Sequence, residues 1–310
     1  MSVRIGIGMF GWPFGPSGPE MLWDWVDQAE SSDVDSVWLT DRIVSSKLNL
    51  EPIVALSFIA ARTKRMLIGT SVLALPLRNP TILAKELATL DYLSDGRMLP
   101  AIGLGTEQEL EYEACGVRRK DRASRTDEML IIMRKLWTGQ HISFNGEHFK
   151  LNRVCIKPTP VRPELPPLWI GGRSSAALRR VAKLGDGWLA SRVMPEDIVL
   201  GKKMIEETAK TFGRTVDYDH YGVILNCCLA DTRADAIKLS KPYLIHDKAR
   251  TNLNTPFLDA IGTTDDVIDV IDKFVAAGAT KFVMRPTCPP DRMFEQLSLL
   301  TNRIIPNYHT

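Results

Sequence analysis

Two kinds of apolar pattern alternate along this chain. Short runs that alternate or are wholly apolar predict strands: Arg4 to Met9, Ser36 to Thr40, Met66 to Leu75, Leu99 to Leu104, Leu168 to Ile170, Gly187 to Ala190, Tyr221 to Ala230 and Lys281 to Met284. Between them lie segments with apolar residues at helical spacing: Pro19 to Glu30, Pro52 to Ala61, Thr81 to Leu93, Arg122 to Trp137, Glu196 to Phe212, Thr264 to Ala277 and Met293 to Arg303. Met129, Ile132, Met133 and Leu136 show the i, i+3, i+4, i+7 template most plainly. Helical patterning also runs from Ala234 onward, and it weakens near Arg250 to Thr255.

Strands that alternate with helices imply a parallel sheet. The count of eight such units over 310 residues predicts one (β/α)8 barrel spanning 1–310. Two Rossmann-like halves are the alternative, with a boundary at the proline-rich stretch Pro158 to Pro167. Within the barrel reading, 140–167 is an insertion. Asn145-Gly146 turns a hairpin between Ile142 to Phe144 and His148 to Leu151, and the prolines make an extended connector. Residues 238–262 are a candidate lid.

One unit carries a chemical signal. Leu168, Trp169 and Ile170 are followed by Gly171 and Gly172, then by Arg173, Ser174 and Ser175 at the start of an amphipathic helix. Amides at a helix start have no internal partner, and the helix dipole favours an anion there. Two glycines let a phosphate approach the backbone. The same residues also make an ordinary tight turn with Ser174 as the N-cap.

In a barrel the site lies just after the strands. The candidates are therefore Phe10 to Trp12, Asp41 and Arg42, Leu75 to Arg78, Gly105 to Gln108, Gly171 to Ser175, Ser191 and Arg192, and Arg285 to Cys288. Arginines and aromatics outnumber acids in this set, which suits a flat anionic ligand better than hydrolysis by paired carboxylates.

Composition narrows the partners. A 45% apolar, 25% charged chain with net charge +2 points away from nucleic acid and from anionic membrane surfaces. No stretch has the length of a membrane helix, and the first residues pass directly into a strand, so the expected location is the cytoplasm. Five irregularly spaced cysteines read as buried thiols, with Cys288 placed to line a pocket, and the scattered histidines predict no metal site.

Several longer segments carry a resemblance. They are Ile68 to Arg97 (IGTSVLALPLRNPTILAKELATLDYLSDGR), Gly103 to Gly105, Arg122 to Gly139, Asn145 to Phe149, and the Leu168 to Trp188 unit. In this order they are similar to the bacterial luciferase-like flavin-dependent oxidoreductases, over nearly the whole chain. That family comprises (β/α)8 barrels using FMN or the 5-deazaflavin coenzyme F420. The resemblance implies a non-prolyl cis peptide at Ser71 and Val72 under the ring system. It implies a phosphate grip at Gly171, Gly172, Arg173, Ser174 and Ser175, with Gly105 beside the coenzyme. Asp41 matches a position beside the ring, and Arg42 stands where deazaflavin enzymes often carry histidine. Asp41, Arg42 and Arg78 are the expected catalytic residues, and Trp12, Arg285 and Cys288 the expected substrate pocket. The segment after Gly105 departs from the family, with Glu107 and Glu109 as candidate acids.

The leading expectation is a monooxygenase that takes reduced FMN from a separate reductase and oxidises a small organic substrate with molecular oxygen. The alternatives are F420-dependent hydride transfer without oxygen and a flavin-binding protein without catalysis. Outside the family, a phosphosugar isomerase on the same barrel would share the phosphate grip. The resemblance also implies a homodimer.

Overall fold

The computed structural model describes residues 3–244 and 258–308. Eight parallel strands form its centre: β1 (Arg4–Met9), β2 (Ser36–Leu39), β3 (Leu67–Thr70, resuming as Leu73–Ala74), β4 (Met98–Leu99, resuming as Ala101–Gly103), β5 (Trp169–Gly171), β6 (Gly187–Ser191), β7 (Tyr221–Leu229) and β8 (Lys281–Pro286). β8 pairs with β1 through Ile5 and Phe282. β3 pairs with β4 in both of its halves, through Ile68 and Met98 and then Leu73 and Ile102. Every strand therefore has two neighbours and the sheet closes into a barrel. A further strand, Ala260–Gly262, extends the end of β7 at Cys227 to Leu229.

Helices follow the strands, and their starts explain their positions. Asn79 Oδ1 accepts from the amides of Thr81 and Ile82, with Pro80 in the first turn. Thr263 and Asp266 form a capping box for Thr264–Ala276. The helical faces bury Leu83, Leu87, Met129, Met133, Ile271 and Phe274 against the outside of the barrel.

The inside of the barrel is a separate cluster. Trp38, Leu99, Ala101, Trp169, Leu189, Ile224 and Val283 pack together there, with Leu67 and Val72 at its edge. The two indoles need space that neighbouring strands provide by omitting side chains. A Cβ on Gly69 would lie 2.3 Å from Trp38 Cε3, and one on Gly187 would lie 2.7 Å from Trp169 Cδ2. Trp38 Nε1 donates to Ser36 Oγ at 2.8 Å. Below this layer the buried Lys281 ammonium pairs with Asp35.

Some elements depart from the pattern. The strand expected over Met66 to Leu75 is interrupted at Ser71 and Val72, whose peptide is cis, as the resemblance implies. At this break Thr70 Oγ1 donates to Ala101 O at 2.6 Å and accepts from Ala101 N at 3.0 Å, so a side chain joins β3 to β4. Pro100 lacks the amide that would continue the β4 ladder, and the expected strand Leu99 to Leu104 is split there. A short helix, Glu109–Ala114, and the strand Ala260–Gly262 have no counterpart in the expected elements. The last helix is α-helical only over Met293–Leu299 and continues as a π-turn through Leu300–Ile304. Of the candidate lid, residues 238–240 end the helix Arg233–Ser240 and residues 260–262 are the extra strand. The Arg250 to Thr255 stretch lies outside the described residues.

Gly69→Ala is expected to lower the unfolding free energy by about 2 kcal/mol, because the added methyl overpacks the Trp38 layer. Urea denaturation measures it. An unchanged midpoint would show that the barrel interior yields without cost.

Candidate active site

Strand alternation carries the interior forward to the C-terminal rim. Two residues beyond Trp38, Ala101, Trp169, Leu189, Ile224 and Val283 stand Thr40, Gly103, Gly171, Ser191, Asn226 and Arg285. Phe10, just beyond β1, joins this rim and is 41% exposed. The rim has two unlike halves. Toward β4 and β5 it is bare backbone around Val72: a Cβ on Gly103 would lie 2.7 Å from Val72 Cγ2, and one on Gly171 would lie 3.0 Å from Val72 Cγ1. Toward β7, β8 and β1 it carries an amide, a guanidinium and an aromatic ring.

The bare half leads to the turn after β5. Gly172 has φ +103°, a conformation that favours glycine, and a Cβ there would meet the Ala177 methyl at 2.9 Å. Ser174 Oγ accepts from the Ala177 amide at 3.2 Å and caps the helix Ser175–Leu184. Ser174 and Ser175 are exposed, so this helix start faces open space. Arg173 donates to Arg192 O at 2.6 Å, and Trp188 Nε1 donates to Gly172 O at 2.7 Å. These bonds hold the turn from both sides. Gly105, at φ +84°, passes over the Tyr112 hydroxyl, which donates to Leu104 O.

Asp41 and Arg78 meet each other rather than the open mouth. Arg78 gives Asp41 two bonds, at 2.6 and 3.1 Å, and a third to Glu51 at 2.8 Å. The Ala74 amide donates to Asp41 Oδ2 at 2.8 Å. The Asp41 side chain is fully buried. Burial alone would lower the Arg78 pKa, but the Asp41 and Glu51 carboxylates outweigh it and hold the guanidinium above its ordinary value. The pair thus fastens the end of β2 to the turn after β3. Arg42 extends toward the segment after β4, donating to Gln108 Oε1 at 3.3 Å with Glu111 at 3.8 Å. Glu111 is itself buried and accepts from the Ile43 amide at 2.8 Å and from Thr106 Oγ1 at 3.1 Å.

A second polar group stands across the mouth. Arg285 is 8% exposed, lies 5.4 Å from the Phe10 ring centroid, and gives Asn226 Oδ1 two bonds at 2.9 and 2.8 Å. Asn226 Nδ2 donates in turn to Asp259 Oδ2 at 3.3 Å. Burial lowers the Arg285 pKa to about 10, against the pull of Asp259 and with the push of Arg192. Burial also raises the Asp259 pKa, against the Asn226 hydrogen bond and the Arg285 charge. Trp12 stands beside this rim, its backbone amide bonded to Leu48 O at 3.0 Å and its buried indole N–H without a partner among the described residues.

Other expected residues lie elsewhere. Cys288 is buried in the outer core with its Sγ 3.6 Å from Met293 Sδ, so it does not line a pocket; burial pushes its pKa to about 12. Cys227 and Cys228 are buried as expected, while Cys115 and Cys155 are only half-buried. Glu107 and Glu109 both bind Arg119 on an exposed flank, at 2.6 Å each. No group of three potential metal ligands occurs among the described residues. Asn226, Asp259 and Glu111 were not expected. Asn226 had a signal, as the lone polar residue in the apolar run YGVILNCCL; the other two had none.

Residues 10–281 match the sequence profile described as luciferase-like monooxygenase. The chain belongs to this family. It is 31% identical over 182 residues to the F420-dependent glucose-6-phosphate dehydrogenase of Kineococcus radiotolerans, covering 56% of this chain and 52% of that protein. The chain thus spans about half the length of this curated relative. Solved structures share the whole fold. A monooxygenase from Streptomyces bottropensis superposes with a TM-score of 0.82 at 19% identity, over 98% of this chain and 99% of the other. An F420-dependent secondary alcohol dehydrogenase gives a TM-score of 0.77 at 19% identity, over all of both chains. The chain has the (β/α)8 barrel fold of this family.

Asp41→Asn is expected to cost about 3 kcal/mol of stability, because it leaves Arg78 buried with one carboxylate partner fewer. Chemical denaturation gives the number. A cost below the level of a surface pair would remove Asp41 as the anchor of the β2–β3 corner.

Proposed function

We propose that this family member is a deazaflavin-dependent oxidoreductase that moves hydride between coenzyme F420 and a small organic substrate. The observation that carries the reading is the bare half of the rim. Gly103, Gly171 and Gly172 leave a flat, side-chain-free path from Val72 to the open start of the helix Ser175–Leu184. A planar ring with a phosphate-bearing tail fits such a path, ring toward Val72 and phosphate toward the Ser174 and Ser175 amides. The glycines match that group sterically and the helix start matches it electrostatically.

When bound, the coenzyme supplies a carbon that accepts or donates hydride. The protein supplies position. Arg173 and Trp188 fix the turn, Asp41 and Arg78 fix the corner beside the ring, and Phe10, Trp12 and Arg285 bound the space left for substrate. Asp41 takes a positioning role here, because its carboxylate is occupied by Arg78 and the Ala74 amide.

The deazaflavin reading is favoured over oxygen chemistry by the sequence relatives. The relative matched at 31% identity is F420-dependent, while the monooxygenase from Streptomyces bottropensis shares the fold at 19% identity. Reduced FMN delivered by a separate reductase, with molecular oxygen as oxidant, is the second reading, supported by the same barrel in that monooxygenase.

Titration of the purified protein with F420 and with FMN, each oxidised and reduced, separates the two. Tight F420 binding with FMN ignored is the expected result. Binding of reduced FMN alone would replace hydride transfer by oxygen chemistry. Gly172→Ala is expected to weaken coenzyme binding about tenfold, roughly 1.4 kcal/mol, because the turn opposes a side chain at φ +103°. Unaltered affinity in a folded variant would move the phosphate away from this turn.

A further inference from the structure

A hydride taken from an alcohol carbon leaves a hydroxyl proton that some group must accept. The carboxylates near the mouth differ sharply in their freedom to do so. Both oxygens of Asp41 are bonded to Arg78, and one also to the Ala74 amide. Glu111 is filled by the Ile43 amide and Thr106. Glu51 holds Arg78 and the Val54 amide. Glu107 and Glu109 bind Arg119 on the outside.

Asp259 is different. It accepts from Asn226, from Nδ2 at 3.3 Å and from the backbone amide, and among the described residues no arginine is bonded to it directly. It stands just before the extra strand Ala260–Gly262, which pairs with β7 directly after Asn226. That places it at the level of the rim. Asn226 keeps it apart from Arg285 by standing between them, accepting from the guanidinium and donating to the carboxylate. A base and a cation are thus held side by side without neutralising each other through direct contact.

We propose that Asp259 is a catalytic residue of this site, the acceptor of the hydroxyl proton of an alcohol substrate whose oxygen is held by Arg285. The inference rests on the hydride-transfer reading above. The balance is simple. The carbinol C–H bond breaks and its hydride passes to oxidised deazaflavin, the oxidant. The O–H bond breaks and its proton passes to the Asp259 carboxylate. A carbonyl forms, and its oxygen remains on the Arg285 guanidinium. In the reverse direction Asp259 returns the proton.

Among the described residues, the charged and titratable groups facing Asp259 are Arg285 on β8, Cys227 beside Asn226 on β7, and Arg192 after β6. Burial raises the Asp259 pKa while Asn226 and the two arginines oppose that rise. The basic form is therefore lost as pH falls, at higher pH than for an ordinary aspartate.

The test uses the full chain with oxidised F420 bound, as wild type, Asp259→Asn and Asp259→Glu. Coenzyme affinity is read by fluorescence. Binding of 2,2,2-trifluoroethanol, a hydroxyl probe that resists oxidation, is read by fluorine NMR across pH. Oxidation of 2-propanol and cyclohexanol is read as coenzyme reduction. The expected result is coenzyme affinity within twofold in all three proteins. Probe binding should strengthen with pH in wild type and lose that dependence in Asp259→Asn. Turnover should fall at least 100-fold in Asp259→Asn, with its acid limb gone, and return in part in Asp259→Glu.

Probe binding and turnover unchanged in Asp259→Asn would overturn the proposal. So would a wild type that binds coenzyme and oxidises neither alcohol. A wild type that does not bind F420 would overturn the hydride-transfer reading itself, a result distinguishable because it appears before any alcohol is added.

Discussion

Two tryptophans fill the barrel, and the rest of the molecule is arranged around them. Trp38 and Trp169 occupy the interior because Gly69 and Gly187 lack side chains where the indoles lie. Once that layer is packed, no ligand can enter the middle of the barrel. Chemistry is confined to the rim above it. The same alternation that points the indoles inward also points Gly103, Gly171, Asn226 and Arg285 to the rim two residues later. Core and site are successive turns of one pattern.

The rim is also ordered by charge. From sequence, the arginines after the strands suggested a cationic mouth for an anionic ligand. In the fold Arg78 is spent on Asp41 and Glu51 and Arg42 on Gln108 and Glu111, while Arg285 gives Nε and one of its two terminal nitrogens to Asn226. These bonds tie neighbouring βα corners together. What remains for an anion is the backbone of the Gly171 to Ser175 turn, which needs no cationic side chain.

The barrel was legible because its signals are local. Alternating strands, helical stripes and capped helix starts can each be read within a dozen residues, and the Gly171 to Ser175 turn is contiguous. The split of β3 was legible only through family resemblance, since Ser71 and Val72 sit in an otherwise continuous apolar run. Arg78 shows the opposite limit. Its placement after a strand was read correctly, but its partner lies 37 residues away, and nothing local marks Asp41 as that partner. Asp259 follows an unpatterned stretch, and it gains its place only when Ala260–Gly262 adds to β7. Cys288 follows β8 as the rim residues do, yet it turns outward to Met293.

The Thr70 hydroxyl gives the closure of the barrel an unusual independence. Where β3 bends and the ladder to β4 lapses, this one side chain both donates to and accepts from Ala101. The seam is thus sewn from within the wall, below the level of the loops. Loops above such a seam are free to lengthen, shorten or change sequence without loosening the cylinder beneath them. That is a material basis for diversification: one barrel can be inherited intact while the loops that choose its substrates are rewritten.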